Sequence, residues 1–539
     1  MRLTLFRLWR LAPAAAVLLL AGLLQAWSLA WPFGWLLPHG EPVAGLQILA
    51  LAALLPLLHA ATTVRAAFFS GWAFSTAWLA ATFWWLFVSM HTYGGLPALL
   101  AVLGVLALAA ALGLYYALAA ACYWRWRAAR LRWRLPLFAA LWTLAELARG
   151  TIFTGFPWGA IGYAQVDALA PLAPWVGVYG MGTVAAALAL LAAEAWQLLR
   201  SGVGLARPGP AASVAAAAWL GALVLLCWPG AAQRWTALVP LWTEPAGRLP
   251  VALLQGNIPQ DEKFQPGSGV PLALSWYRQQ AGAALAHGDA RLVVAPETAI
   301  PLLPQQLGPD WWRPLLQAVE QGQAALTLGL PLGSAESGYT NSALSWVPGA
   351  AEPLRYDKQH LVPFGEFIPT GFRWFTDLMQ IPLGDFRRGA AVQPTLDWAG
   401  QRIAPDICYE DLFGEELARG FADPARAPTV LLNLSNIGWF GDTVAIDQHR
   451  QISRLRALEL QRPMLRATNT GATVAIDHLG RVTHELPRLT RAVLKAEVEG
   501  RSGLTPYARW SGRFGLWPLA LLCGAIVLLG WRRSGLARP

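Results

Sequence analysis

The feature that most constrains this chain is a series of apolar runs long enough to cross a lipid bilayer. Crossing the hydrocarbon core takes about 20 mostly apolar residues in a helix. The 539 residues are 55% hydrophobic and 13% charged, whereas soluble domains carry about a quarter charged residues. The sequence predicts eight spans, at about Leu11–Leu29, Val43–Thr62, Ala66–Met90, Leu96–Trp124, Leu135–Ile152, Trp175–Leu199, Ala212–Trp228 and Leu516–Trp531.

Arginines beside these runs predict the orientation of the chain. With eight spans, the arginine-rich ends and loops all fall on one side, which the positive-inside rule assigns to the cytoplasm. The net charge of +10 is therefore a topology signal, and we expect no nucleic-acid partner. The arginines that carry the pattern are Arg2, Arg7, Arg10, Arg125, Arg127, Arg130, Arg132, Arg134, Arg200, Arg207, Arg532, Arg533 and Arg538.

The polar stretch between the seventh and eighth spans predicts an α/β domain outside the cytoplasm. Short apolar runs alternate there with amphipathic stretches, which is typical of buried strands separated by helices. We therefore predict a membrane domain over residues 1–230, a catalytic domain over 231–513, and an eighth helix with a cytoplasmic tail over 514–539. The predicted strands are Val251–Leu254, Leu292–Ala295, Ala325–Leu330, Arg355–Lys358, Ile403–Ile407, Val430–Leu434 and Thr473–Ile476, and the predicted helices are Leu272–His287 and Ile446–Gln461.

Three reactive side chains stand at the ends of predicted strands, where α/β folds place their functional groups. Glu297 is a candidate base, Lys358 a candidate oxyanion-stabilising cation, and Cys408 a candidate nucleophile. Cys408 precedes a predicted helix start, so we expect the backbone there to favour its thiolate. Taken singly, each residue also fits an ordinary role, as a loop glutamate, a surface lysine or a buried cysteine. The chain has no C-x-x-C pair, so no metal site or disulfide framework is expected.

The order glutamate, lysine, cysteine resembles the nitrilase (carbon–nitrogen hydrolase) superfamily, and longer motifs resemble its membrane branch, the apolipoprotein N-acyltransferases. This resemblance implies an extracytoplasmic αββα sandwich joined to about eight transmembrane helices. Two positions depart from the family pattern: Ile437 follows Asn436 where aspartate is common, and Phe264 follows Lys263 where tryptophan is common. The resembling segments are Leu254–Gln260, Pro296–Glu297, Tyr356–Glu366, Ile407–Glu410, Asn436–Gly441 and Thr154–Trp158.

The resemblance implies a two-step acyl transfer without a cofactor. Glu297 takes the proton of Cys408, the thiolate attacks a phospholipid ester, and Lys358 with a backbone N–H near Tyr409 holds the oxyanion. The resulting thioester is attacked by the α-amine of a diacylated apolipoprotein. The donor is expected to be phosphatidylethanolamine, and the protein a monomer in the bacterial inner membrane with its catalytic domain in the periplasm.

The same resemblance implies a set of supporting residues. Glu366 would orient the lysine, Glu410 would steady the cysteine loop, and Tyr409 would complete the site. Aromatic and basic residues around the site are candidates for contact with lipid, although ordinary packing over the core explains them equally well. These candidates are Phe264, Trp374, Phe375, Arg387, Arg388, Trp439 and Phe440.

Two other functions fit parts of the sequence. A membrane-tethered amidase would use the same three residues with water as the second nucleophile, but a small polar substrate would not require eight spans. A non-enzymatic transporter or scaffold would carry ionisable residues within its spans. Here they are few, with Glu146 and Arg149 near one span end and Glu194 near another.

Overall fold

The computed structural model describes residues 2–128, 130–201, 221, 236–368 and 386–536. The chain divides into two compact units. The helical unit comprises residues 1–87, 97–239 and 516–539, and the sheet unit comprises residues 88–96 and 240–515.

Apolar helices make up the helical unit. By length and hydropathy, Ala98–Trp126 and Ala170–Arg200 are able to cross a membrane, and the bent pair Pro506–Phe514 and Trp517–Ser534 qualifies if it forms one span. The predicted run Ala212–Trp228 lies outside the described residues except at Gly221, so the count of eight spans stays a prediction. The helices described in this unit are Arg2–Trp27, Ala44–Ala60, Val64–Thr82, Ala98–Trp126, Leu131–Thr151, Ala173–Ser201 and Trp517–Leu536.

Two buried charges within the helical unit hold the loop that follows Leu131–Thr151. Arg149 donates from Nη1 to the backbone carbonyls of Phe156, at 2.5 Å, and Trp158, at 2.8 Å. Glu146 accepts a hydrogen bond from the backbone N–H of Ile161 at 2.9 Å. Buried charges are tolerated only when they are paired or hydrogen-bonded. These two residues therefore have a structural role in fixing the loop.

The described part of the sheet unit contains two six-stranded sheets. The first sheet has the order β12-β1-β2-β3-β4-β5 and the second β11-β10-β9-β8-β7-β6. All seven strands predicted from the sequence are confirmed. The strands are β1 Thr243–Gln255, β2 Leu292–Val294, β3 Ala325–Ser334, β4 Gly338–Trp346, β5 Leu354–Asp357, β6 Leu396–Trp398, β7 Gln401–Ile407, β8 Val430–Ser435, β9 Met464–Thr468, β10 Val474–Ile476, β11 Val482–Glu485 and β12 Ala492–Gly503.

Three apolar clusters define the layers of the sheet unit. One cluster packs the facing surfaces of the two sheets, with Val251 and Val294 from the first and Ile403 and Leu432 from the second. The other two clusters pack helices against the outer surface of each sheet. The predicted αββα sandwich is therefore confirmed. The helices of this unit are α1 Gly269–His287, α2 Pro309–Gln321, α3 Gly414–Arg419, α4 Ala445–Leu460 and α5 Pro506–Phe514.

The turn that carries Glu297 lies directly against Gly329 in β3. A Cβ atom at Gly329 would lie 2.3 Å from the carbonyl oxygen of Pro296 and 2.8 Å from Cα of Glu297. The backbone carbonyl of Gly329 also accepts a hydrogen bond from Ile300 N–H at 3.1 Å. Only a residue without a side chain allows the strand and the turn to approach this closely.

We expect Gly329→Ala to displace the Glu297 turn and to destabilise the fold by about 1–3 kcal/mol, the usual cost of overpacking. Thermal unfolding in detergent should show a lower midpoint temperature. Gly282→Ala is the matched control, because a Cβ at Gly282 in α1 meets no atom within 4 Å and alanine favours a helix by up to about 1 kcal/mol. Equal midpoints for the two variants would contradict the prediction.

Candidate active site

The three reactive side chains follow strands of both sheets. Glu297 lies in the turn after β2, Lys358 directly follows β5, and Cys408 directly follows β7. β2 and β5 belong to the first sheet and β7 to the second. The site therefore lies where the ends of the two sheets meet, and the sandwich brings together groups that are far apart in the chain.

The ammonium of Lys358 lies between two carboxylates. Its Nζ is 3.1 Å from Oε1 of Glu297 and 2.9 Å from Oε1 of Glu366. Asn341 Nδ2 donates to the same two oxygens, each at 2.7 Å. Burial alone would lower the pKa of Lys358, but the charges of Glu297 and Glu366 raise that pKa well above its ordinary value. The lysine is therefore a permanent cation.

Glu297 is held ionised by its neighbours. Its second oxygen, Oε2, accepts the backbone N–H of Asn436 at 2.8 Å. Burial would raise the pKa of Glu297, but the charge of Lys358 and the hydrogen bond from Asn341 hold the pKa below its usual value. The carboxylate is therefore ionised and able to accept a proton, although its lowered pKa makes it a weaker base than an ordinary glutamate.

Cys408 has a strained backbone and a protonated thiol. Its φ angle is +55°, in the left-handed region that costs most residues about 1 kcal/mol or more. Burial and the charge of Glu297 raise the pKa of the thiol to about 12, against the opposing effects of Lys358, Ser435 and Arg466. Desolvation outweighs the nearby positive groups, so the thiol is protonated at rest, and the expected local effect of the backbone on the thiolate stays a prediction.

Glu410 ties the cysteine turn to the segment that carries Lys358. Its Oε1 accepts the backbone N–H groups of Gln359, at 2.7 Å, and His360, at 3.1 Å. Its Oε2 accepts the backbone N–H of Ile407, at 2.5 Å, and the hydroxyl of Tyr356, at 2.9 Å. Four hydrogen bonds to one buried carboxylate fix the separation of the two segments.

A second buried network supports the cysteine turn from the α4 side. Asp411 lies 2.8 Å from Nε2 of His449 and 3.0 Å from Nη1 of Arg466, and it accepts the hydroxyl of Ser453 at 2.6 Å. Burial would raise the pKa of Asp411, but His449 and Arg466 lower it below its ordinary value. The turn is thus anchored both to α4 and to β9.

Comparison with known proteins identifies the family. Residues 33–191 match the family model described as the apolipoprotein N-acyltransferase N-terminal domain, and residues 250–507 match the carbon-nitrogen hydrolase model. The apolipoprotein N-acyltransferase of Verminephrobacter eiseniae is 53% identical over 526 residues, which cover 92% of each chain. That of Ralstonia nicotianae is 44% identical over 505 residues, which cover 91% of this chain and 90% of the relative. The chain belongs to the apolipoprotein N-acyltransferase family.

The side chains predicted to contact lipid differ in how far they are exposed to solvent. Phe264 is 50% exposed and Trp439 is 39% exposed. Phe440 is half-buried, Arg387 and Arg388 are exposed, and Trp374 and Phe375 lie outside the described residues. Lipid contact by these residues stays a prediction.

Sequence reasoning assigned no role to three polar residues that contact Glu297. Asn341 is buried in β4. The sequence feature that could have identified it is an amide side chain in the middle of a strand. Asn436 stands in a motif that resembles the family, but its contact is made by the backbone, which no residue pattern reports. Lys263 donates from Nζ to the backbone carbonyl of Glu297 at 3.2 Å.

We expect the resting thiol to react slowly with iodoacetamide at neutral pH. Because the thiolate is the reactive form and the pKa of Cys408 is about 12, the alkylation rate should rise about tenfold per unit between about pH 8 and pH 10. Mass spectrometry of the peptide that contains Cys408 measures the rate, and Cys408→Ala identifies background signal from the other cysteines. A rate that is already at its plateau near pH 7 would show a preformed thiolate instead.

Proposed function

We propose that this protein transfers an acyl chain from a phospholipid to the N-terminal α-amine of a diacylglyceryl-cysteine lipoprotein. The observation that carries the proposal is the buried cluster of Glu297, Lys358 and Glu366, in which Glu297 and Lys358 act electrostatically on the Cys408 thiol. The names of the most similar relatives support the same activity. Glu297, Lys358 and Cys408 are accordingly assigned as the catalytic residues, with Glu366, Tyr409 and Glu410 supporting them.

The first half-reaction forms a thioester. Because the thiol is protonated at rest, its proton passes to Glu297 as the sulfur attacks the ester carbonyl. Negative charge develops on the carbonyl oxygen, where the ammonium of Lys358 and a backbone N–H near Tyr409 stabilise it. When the tetrahedral intermediate collapses, the C–O bond breaks and Glu297 returns the proton to the departing lysophospholipid.

The second half-reaction transfers the acyl group to nitrogen. The neutral α-amine of the acceptor attacks the thioester carbonyl and passes a proton to Glu297. The C–S bond then breaks and the sulfur recovers that proton, so that the site returns to its resting state. Glu366 keeps Lys358 in place through both steps, since it binds the same ammonium at 2.9 Å.

The proposed donor and acceptor both suit an enzyme that lies in the membrane. Both carry acyl chains, and each CH₂ buried in the bilayer is worth about 0.8 kcal/mol, so neither leaves the membrane readily. We propose eight spans with the catalytic segment, residues 231–513, on the periplasmic side of the inner membrane, as the arginine pattern supports. Phosphatidylethanolamine is the proposed donor and a monomer the proposed state.

An acyl-enzyme experiment tests the function. The purified protein is incubated with phosphatidylethanolamine, and we expect an acyl mass on the peptide that contains Cys408. Addition of a diacylated peptide should remove that mass and produce an amide on the peptide, whereas Cys408→Ala should show neither signal. Release of free fatty acid at the same rate with and without the peptide would instead identify a hydrolase.

We expect Lys358→Ala to reduce acyl transfer by about 100- to 1,000-fold, the usual effect of removing one oxyanion donor. The matched control is Lys495→Ala, because Lys495 is exposed and pairs with Asp289 at 2.8 Å in an unrelated part of the sheet unit. Turnover of labelled phosphatidylethanolamine with the diacylated peptide measures both variants. A Lys358→Ala enzyme as active as the control would remove the lysine from the mechanism.

A further inference from the structure

A second lysine is buried beside Glu297. Lys263 lies between β1 and α1, and its side chain is only 1% exposed. Its Nζ donates to the backbone carbonyl of Glu297 at 3.2 Å. Among the residues that the structure describes, this carbonyl is its one hydrogen-bond partner. Lysine is rarely buried without a carboxylate partner, because desolvation of an ammonium is costly.

The two lysines that contact Glu297 differ in their partners. Lys358 contacts two carboxylates and keeps its proton. Burial lowers the pKa of Lys263 to about 7, although the charges of Glu297 and Cys408 oppose this effect. One lysine is therefore a permanent cation, and the other gains or loses its charge near neutral pH.

The backbone of Lys263 is fixed by close packing. A Cβ at Gly269, the first residue of α1, would lie 2.0 Å from the carbonyl oxygen of Glu262 and 2.8 Å from the backbone nitrogen of Lys263. Gln265 N–H donates to the Glu262 carbonyl at 2.7 Å and closes a turn around the lysine. The fold therefore fixes the backbone position from which the Lys263 side chain reaches Glu297.

The charged groups around Lys263 come from four segments. Glu297 follows β2 and Cys408 follows β7, and both act electrostatically on the lysine. Asp261 and Glu262 belong to its own segment, where Asp261 is exposed to solvent. Lys358 lies on the carboxylate side of Glu297, 3.1 Å from Oε1. A positive charge on Lys263 adds to that of Lys358 and lowers the pKa of Glu297 further.

We propose that Lys263 is a positioning residue that holds the Glu297 turn and, through its own protonation, sets how strongly Glu297 accepts the thiol proton. The inference rests on the acyl transfer proposed above. When Lys263 binds a proton from solvent, its charge weakens Glu297 as a base. When it releases that proton to solvent, Glu297 becomes a stronger base and the sulfur attacks faster. No other reactant takes part.

The test is the pH dependence of thioester formation alone. Wild-type protein in detergent is mixed with phosphatidylethanolamine without acceptor peptide, so that titration of the acceptor amine does not contribute. The single-turnover appearance of the acyl mass on Cys408 should speed up by about three- to tenfold between about pH 6 and pH 8, as the lysine loses its charge.

Substitutions that fix the charge should remove this dependence. Lys263→Met is permanently neutral, so its rate should change by less than about twofold over that range. Lys263→Gln is also neutral but retains an N–H donor, and it should behave in the same way. Lys263→Arg is permanently charged and should stay near the slow, low-pH rate of the wild type. Lys495→Met, an exposed control, should keep the wild-type profile.

The outcomes separate this inference from the function on which it rests. Absence of any acyl mass on wild-type Cys408 would overturn the proposed function. A thioester that forms in Lys263→Met or Lys263→Gln with the wild-type rise between pH 6 and pH 8 would overturn the role of Lys263 alone. If neither variant folds, alkylation of wild-type Cys408 decides. A slope that falls below tenfold per pH unit near pH 7 and returns to tenfold above about pH 8 supports the role, and an unbroken slope contradicts it.

Discussion

The site depends on one buried ammonium shared by two carboxylates. Without Lys358, the charges of Glu297 and Glu366 would face each other in a region nearly free of water, where repulsion between like charges is strong. With Lys358 in place, one oxygen of each carboxylate lies at hydrogen-bond distance from the same nitrogen. The position of the Glu297 carboxylate therefore depends on its ion pair with Lys358 as well as on the strand end that carries it.

Much of this arrangement could be predicted from the sequence, since the clues were local. Short, mostly apolar runs identified β2, β7 and β8, and reactive residues at the ends of predicted strands identified the three catalytic candidates. The strands that were missed have weaker patterns. β11 is largely exposed, and β9 carries Arg466 in its centre, so neither shows the unbroken apolar run of a buried strand.

The contacts that tune the site depend on the tertiary fold and could not be predicted. Asn341 reaches both carboxylates because β4 pairs with β5, and Asn436 reaches Glu297 through its backbone. The protonated state of Cys408 reflects its partial burial against the apolar cluster between the two sheets, which outweighs the nearby positive groups. Predictions from short motifs thus identify the reactive groups, while their pKa values follow from packing.

The left-handed backbone at Cys408 has a consequence for inactive variants. Serine and alanine at this position carry the same kind of conformational penalty as cysteine, so either replacement removes the sulfur and leaves the strain. Glycine has no such penalty. A cysteine at a φ of +55° therefore costs conformational energy that a glycine would not. Packing in the rest of the fold must offset this cost.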